Sequence, residues 1–119
     1  MGFSCGDGWF EVIRELSEAV EPLIVQFKLD YPGQDAPKAT TIKEKYGTLR
    51  FYMNCATDEM WEHIEHAEWR TNHICEICGR TGNYIKPRKI KGWILTYCWA
   101  HALQRWIKRT FMLKGWMDI

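Results

Sequence analysis

The segment ICEICGRTG at residues 74–82 is followed by CWAH at residues 98–101. A Cys-x2-Cys pair and a Cys-x2-His pair together supply four side chains of the kind that bind metal. Zinc prefers four such ligands in a tetrahedron, and Gly79 lets the first pair close a tight turn without a steric penalty. The chain has five cysteines, and this odd number favours metal-bound thiolates over a disulfide framework. We therefore predict Zn²⁺ bound by Cys75, Cys78, Cys98 and His101. The alternative is two unrelated cysteine-containing turns.

The spacing of these pairs also predicts the fold of the last third of the chain. The segment between them, NYIKPRKIKGWILTYC at 83–98, is extended, basic and aromatic, which indicates a β-hairpin. An amphipathic helix follows, with Gly115 as its C-cap. The order of knuckle, hairpin and helix-borne ligands is that of a treble-clef zinc finger. Structural zinc contributes about 10–16 kcal/mol in finger peptides, so we expect this portion to need zinc to fold.

A four-ligand shell favours a structural ion over a catalytic one. Catalytic zinc keeps three protein ligands and an open position for water. The segment 79–98 loosely resembles the corresponding part of phage HNH endonucleases, which carry a histidine general base on the hairpin. This chain has no His, Asp or Glu between Cys78 and Cys98, so base and magnesium ligands are lacking there. We expect a protein that is not an enzyme, with a degenerate HNH-like nuclease as an alternative.

The first two thirds of the chain predict a helix, a hairpin and a second helix. Apolar residues from Trp9 to Phe27 form one helical stripe that passes through Pro22, and Asp7 is the predicted N-cap. Alternation around Tyr46-Gly47 predicts a hairpin with Ile42, Leu49, Phe51 and Met53 on its buried face. The second helix begins at Thr57 or Asp58.

The chain is thus predicted to be a small zinc-stabilised α+β domain with two hairpins and three helices. Residues 1–74 form an N-terminal portion and residues 75–119 a treble-clef-like portion, which pack together as one domain. Two apolar helix stripes are predicted to face inward: Met60, Trp61, Ile64, Ala67, Thr71 and Ile74 on the second helix, and Trp99, Ala102, Leu103, Trp106, Thr110 and Leu113 on the third.

Charge divides the chain into two opposite parts. Residues 1–78 carry 7 Lys/Arg and 14 Asp/Glu, whereas residues 79–119 carry 9 Lys/Arg and a single acid, Asp118. Clustered cations with interleaved aromatics are typical of nucleic-acid binding. The alternatives are a solubilising surface or attraction between the two parts. The predicted binding residues are Arg80, Tyr84, Lys86, Arg88, Lys89, Lys91, Trp93, Arg105, Lys108 and Arg109.

Three stretches of the chain resemble a group of small, uncharacterised phage and prophage proteins. These are GDGWFEVIRELSEAVEPL, IKEKYGTLRFYM and the segment from ICEICGRTG to KGWILTYCWAHA, and they correspond to an opening GDGW helix, a KEK-aromatic-G-x-L-R-F-Y hairpin and a zinc knuckle. The resemblance extends to about His101 and implies origin and fold, but no activity. The tail from Leu103 departs from the shorter members of the group.

A phage origin suggests a second function. Small phage proteins often inhibit a bacterial defence complex, in an anti-CRISPR-like manner, and acidic helices can mimic nucleic-acid phosphates. Such a protein–protein inhibitor would use Glu11, Glu15, Glu18, Glu62 and Glu65. The predicted partners are therefore nucleic acid, a nucleoprotein complex or a host defence protein.

Several other features predict little chemistry. His63, His66 and His73 line one flank of the second helix and are interpreted as solvated. The alternative for His73 is that it packs near the zinc and hydrogen-bonds a cysteine sulfur. Cys5 is interpreted as buried, and the role of Cys55 stays open.

The chain has no secretory signal pattern and no apolar run long enough to span a membrane, so we expect the protein to act in the cytoplasm of a bacterial host.

Overall fold

The computed structural model describes the backbone of residues 2–113 and the side chains of residues 5–107. Within these residues the fold is α+β, with three helices and two antiparallel hairpins as predicted. The predicted C-cap Gly115 lies outside them. The elements are β1 (Gly2–Ser4), α1 (Phe10–Asp30), β2 (Ala39–Lys45), β3 (Thr48–Met53), α2 (Asp58–Arg70), β4 (Arg88–Ile90), β5 (Trp93–Leu95) and α3 (Trp99–Leu113).

The first helix is continuous over 21 residues and contains Pro22 in its interior. Its buried side chains fall on one stripe, formed by Val12, Ile13, Leu16 and Val20. The predicted N-cap was wrong, because a 3-10 turn at Asp7–Trp9 precedes α1 and no side chain caps either segment. The helix start is held instead by Trp9, whose side chain is fully buried.

The first hairpin pairs β2 with β3 in the register Ile42↔Phe51 and Lys45↔Thr48. Tyr46 and Gly47 both have positive φ, at 53° and 80°, which is the backbone of a type I′ turn. The short strand β1 adds to β2 in parallel, and the sequence pattern did not reveal it. The sheet packs against α1 and α2 around buried Ile42, Leu49 and Phe51.

The second helix begins at its predicted cap, where the Thr57 hydroxyl accepts a hydrogen bond from the Met60 N–H at 3.3 Å. Met60, Ile64 and Ala67 are buried in the main core. The prediction that Trp61 belongs to the inner stripe was wrong, because its side chain is 41% exposed. An apolar residue next to a buried one on a helix points about 100° away from it, so Trp61 falls at the margin of the stripe.

The last portion contains the second hairpin and α3, with a turn at Lys91-Gly92 whose φ angles are both positive. The prediction of an inward stripe on α3 was wrong for Trp99, Leu103 and Trp106, which are 62%, 56% and 48% exposed. Ala102 is half-buried, and the predicted members Thr110 and Leu113 lie outside the residues whose side chains are described. Against this stripe, the described part of the chain places only the short hairpin, which is too narrow to cover it. These aromatic side chains therefore remain at the surface.

The two portions meet through hydrogen bonds to backbone carbonyls. The Gly8 N–H donates to the Glu76 carbonyl at 2.7 Å, and beside it the Trp9 indole N–H donates at 2.9 Å to the carbonyl of Ile74, the last residue of the N-terminal portion. On the other side, the buried Thr96 hydroxyl donates to the carbonyl of Gly47, in the turn of the first hairpin. The N-terminal turn and the first hairpin therefore both rest on the cysteine-containing portion.

Candidate metal centre and aromatic–basic face

The four predicted ligands converge. The Cys98 Sγ lies 3.2 Å from the Nδ1 of His101 and 3.8 Å from the Cys78 Sγ, and the Cys75 Sγ lies 3.7 Å from the same Nδ1. All four ligand atoms lie within 4.8 Å of one another. Cys75 and Cys98 are buried, His101 is half-buried and Cys78 is exposed. Three sulfurs and one imidazole nitrogen at these separations can hold one metal ion.

The first ligand pair is held by a tight backbone turn. The Cys75 carbonyl accepts from the Gly79 N–H at 2.9 Å, while the Cys75 N–H donates to the Arg80 carbonyl at 2.8 Å. Gly79 has a φ of 80°, a conformation that residues with a Cβ rarely adopt. This turn directs both cysteine side chains to the same side.

The second pair lies at the start of α3. Cys98 precedes the helix, and its carbonyl accepts from the Ala102 N–H at 2.9 Å, so His101 follows within the first helical turn. Burial alone would raise the pKa of the Cys98 thiol, but hydrogen bonds from the backbone and ring of His101, and from the neighbouring cysteines, lower it to about 6. Burial raises the pKa of Cys75. The Cys98 sulfur is therefore more readily available as a thiolate than the Cys75 sulfur.

The N-terminal turn packs closely against the backbone of Cys75 and Glu76, beside the candidate metal centre. A Cβ on Gly8 would lie 2.1 Å from the Cys75 carbonyl oxygen, and one on Gly6 would lie 2.4 Å from that of Glu76. The Glu76 carboxylate accepts from the Gly6 N–H at 2.9 Å. Sequence reasoning assigned no role to GDG beyond a cap. Its signal was the pair of glycines flanking Asp7, which a helix start does not require.

The histidines of α2 and its end take no part in the metal cluster. The suggestion that His73 hydrogen-bonds a cysteine sulfur was wrong, because its Nδ1 donates to the Ile85 carbonyl at 2.9 Å. His63 and His66 are exposed on the flank of α2. Cys5 is half-buried against the main core, and burial together with nearby Glu76 raises the pKa of its thiol to about 11, whereas Cys55 is exposed.

The structure brings together part of the predicted basic strip. Tyr84, Arg88, Lys89 and Lys91 gather beside the exposed stripe of α3. The other described members lie elsewhere or apart: Arg80 and Lys86 are exposed, Trp93 is exposed on β5, and Arg105 lines a separate depression with Tyr97 and His101. The side chains of Lys108 and Arg109 lie outside the described residues.

The gathered cations lie over aromatic rings. The Arg88 guanidinium carbon is 4.6 Å from the centre of the Trp99 ring, and the Lys91 Nζ is 4.9 Å from that of Trp106. Tyr84 is parallel to Trp99 within 5°, at 6.5 Å between ring centres. Sequence reasoning placed both tryptophans in the interior, so it missed them as surface residues. We call this surface the aromatic–basic face; it comprises Tyr84, Arg88, Lys89, Lys91, Trp99 and Trp106.

The acidic surface differs from this face in that many of its charges are paired. Arg14 bridges Glu11 and Glu18, at 2.7 Å to each, and Arg70 of α2 contacts Glu15 at 2.6 Å. Glu62 and Glu65 are exposed. Among residues with described side chains, the ion pairs found all lie in the first 74 residues, and none joins the basic strip to the acidic helices.

None of the helices in the described part of the chain combines the length and the apolar character that crossing a membrane requires.

Comparison with known proteins places no further constraint on the site. No protein-family model, no curated protein and no solved structure matches this chain.

Proposed function

We propose that this protein is a zinc-stabilised, non-enzymatic binding module of phage or prophage origin that acts in the bacterial cytoplasm. Its basic C-terminal portion would contact nucleic acid or a nucleoprotein complex. The observation that carries the proposal is the aromatic–basic face, where Arg88 and Lys91 lie against the rings of two exposed tryptophans. The metal centre holds this face in place, because Trp99 directly follows the ligand Cys98.

Zinc fits the donor set and its geometry. Tetrahedral zinc with Zn–S bonds of about 2.3 Å places two sulfurs about 3.8 Å apart. The Cys78 and Cys98 sulfurs are 3.8 Å apart, and thiolate with imidazole is a donor set that zinc accepts. With four protein ligands, no position is left for a reacting water, which supports a structural role.

Metal analysis of the purified protein tests this part of the proposal. We expect one zinc per chain, and Co²⁺ substitution should give the intense visible absorption of a tetrahedral thiolate site. Cys78→Ser should lose most of the bound metal, while Cys55→Ser, at an exposed cysteine outside the cluster, should keep it. Folded protein without stoichiometric metal would contradict a zinc-stabilised module.

The charge of the second portion supports a polyanionic partner. Residues 79–117 contain no Asp or Glu, so the cations of the aromatic–basic face have no acidic residue within this segment of the chain. The ion pairs of the described residues lie in the first portion and neutralise none of these cations. Phosphate groups are the natural complement of such a surface, and they give a binding affinity that falls as salt rises.

A salt titration tests nucleic-acid binding. Affinity for a mixed-sequence oligonucleotide should fall steeply with salt, and the double variant Lys89→Gln/Lys91→Gln should reduce the slope of log K against log salt by about 2. The matched control is Lys28→Gln/Lys38→Gln, which removes two exposed cations from the first portion. A flat salt response, or equal effects of the two double variants, would contradict the assignment of this face.

Inhibition of a bacterial defence protein through the acidic helices is the second candidate. The exposure of Glu62 and Glu65 on α2 favours it. It is less well supported because Glu11, Glu15 and Glu18 are already paired with arginines, which weakens a phosphate-like field. Capture from host lysate that survives nuclease treatment, and that is lost in Glu62→Lys/Glu65→Lys, would favour this candidate instead.

A further inference from the structure

The aromatic–basic face offers ring surface as well as charge. Trp99 is 62% exposed although Arg88 lies against its ring, so part of the indole remains open to solvent. Tyr84 is also exposed, and the Arg88 guanidinium donates to its carbonyl at 2.7 Å. Arg88 thereby links the two aromatic residues, and their rings are parallel within 5°. Two parallel aromatic rings, with a cation that lies on one of them and bonds the backbone of the other residue, form a surface suited to flat, electron-rich ligands.

An apolar groove continues from Trp99 along α3. This open groove has a volume of about 470 Å³ between α3 and the second hairpin and is lined by Trp99, Ala102, Leu103 and Trp106, with Lys89, Ile90 and Lys91 on the hairpin side. Simple phosphate recognition does not require an apolar floor. The combination of apolar floor and cationic edge instead matches a ligand that has both hydrophobic faces and negative charges.

We propose that the ligand of this face is single-stranded nucleic acid, whose unpaired bases stack on Trp99 and Tyr84 while its phosphates contact Lys89 and Lys91. This inference rests on the proposed function and narrows it. In a duplex the flat faces of the bases are covered by their neighbours, so a duplex presents only base edges and phosphates to a protein. Only unpaired bases can cover the exposed ring of Trp99.

The spacing along α3 predicts a minimum ligand length. Trp99 and Trp106 are seven residues apart, which corresponds to about 10.5 Å along a helix. Successive nucleotides of a stacked strand are roughly 3.4 Å apart, so the distance from one ring to the other corresponds to about three steps, which is about four nucleotides. Affinity should therefore rise with strand length up to at least this size.

The test uses the full zinc-loaded chain and three probes: a deoxythymidine decamer, an abasic decamer with the same number of phosphates, and a self-complementary decamer duplex. Fluorescence anisotropy at fixed salt gives each Kd, and a uridine decamer distinguishes RNA from DNA. We expect the thymidine strand to bind more tightly than the duplex. It should also bind about 5- to 150-fold more tightly than the abasic strand, the range that stacking of a base on a ring contributes.

Variants assign this difference to Trp99. Trp99→Ala should reduce the preference for bases over the abasic strand without changing the salt slope, because stacking releases no counterions. Trp99→Phe should retain most of the preference. The matched control is Trp69→Ala, which removes an equally exposed tryptophan from α2, at 60%. If Trp99→Ala fails to bind Co²⁺, Tyr84→Ala replaces it, since Tyr84 is not adjacent in sequence to any of the four ligands.

The possible results separate this inference from the proposed function. Equal affinity for duplex and single strand, with Trp99→Ala no different from Trp69→Ala, overturns the single-strand inference and leaves nucleic-acid binding intact. Binding of the abasic strand as tightly as the thymidine strand also overturns it. No salt-dependent binding to any probe overturns both, and a protein captured on this face would then be its partner.

Discussion

Glu68 shows how a single residue can couple folding to pH. Its carboxylate is half-buried on α2 and accepts a hydrogen bond from the Phe51 N–H at 2.9 Å, which ties the helix to β3. Burial raises the pKa of this carboxyl above its ordinary value of 4.5, while the Phe51 N–H and nearby Arg50 partly offset that effect. The folded state therefore binds the proton more tightly than the unfolded state does.

The sign of the pH effect follows from this difference. The stability that the protonated carboxyl contributes is fully present below pH 4.5 and is lost as pH rises through the raised pKa of the folded state. Glu68→Gln keeps an oxygen acceptor for the Phe51 N–H but cannot ionise. We therefore expect the free energy of unfolding of the variant, minus that of wild type, to be larger at pH 7 than at pH 4.5.

Urea unfolding at the two pH values measures this prediction, with the difference between variant and wild type taken at each pH so that changes in metal affinity cancel. The control is Glu62→Gln, at an exposed position on the same helix. If Glu68→Gln and Glu62→Gln show the same pH dependence, burial of Glu68 is not its cause.

At the scale of elements, the N-terminal turn at Asp7–Trp9 lies directly against the backbone of the turn that carries Cys75 and Cys78. A Cβ on Gly8 would meet the Cys75 carbonyl oxygen at 2.1 Å and the Glu76 backbone at 2.6 Å. Backbone atoms cannot move aside as a flexible side chain can. The two turns therefore approach each other only because residue 8 has no side chain.

We predict that Gly8→Ala lowers the free energy of unfolding by about 1–3 kcal/mol, the usual cost of inserting a methyl group into a filled site. The matched control is Gly33→Ala, because a Cβ there meets no atom within 4 Å. Urea unfolding of the zinc-loaded proteins gives both values. A loss in Gly8→Ala no larger than that in Gly33→Ala would show that the two turns are not in close contact.

At the scale of the whole molecule, hydrogen bonds connect the main core and the first hairpin to the segments around the metal centre. Trp9 belongs to the core but donates to Ile74, next to the ligand Cys75, and Gly47 of the first hairpin accepts from Thr96. Structural zinc contributes about 10–16 kcal/mol in finger peptides, comparable with the 5–15 kcal/mol of a whole domain. Loss of the metal should therefore affect both portions.

We predict that chelation removes hydrogen-exchange protection from the Trp9 indole N–H and the Gly8 amide as well as from the cysteine turn. NMR-detected exchange before and after chelator measures this change, and added zinc should restore protection. Cys78→Ser should reproduce the result without chelator. A Trp9 indole that stays protected in metal-free protein would show that the N-terminal portion folds independently.

Local patterns determined much of this protein from sequence alone. The ligand set could be predicted because Cys-x2-Cys and Cys-x2-His spacings depend on turns of a few residues, and the structure brings all four ligand atoms within 4.8 Å. The Thr57 cap and the Tyr46-Gly47 turn were predictable for the same reason. Each depends on neighbouring residues and on backbone conformation, which the residue types largely specify.

The tertiary structure decided which apolar residues are buried and which glycines matter. The stripe of Trp99, Leu103 and Trp106 has the period of a buried helix, yet a period shows only that apolar residues share a side. Whether that side is covered depends on the surface opposite it, and here a short hairpin leaves it open. Likewise, Gly6 and Gly8 are required by contact with residues about 70 positions away, a distance that no local pattern encodes.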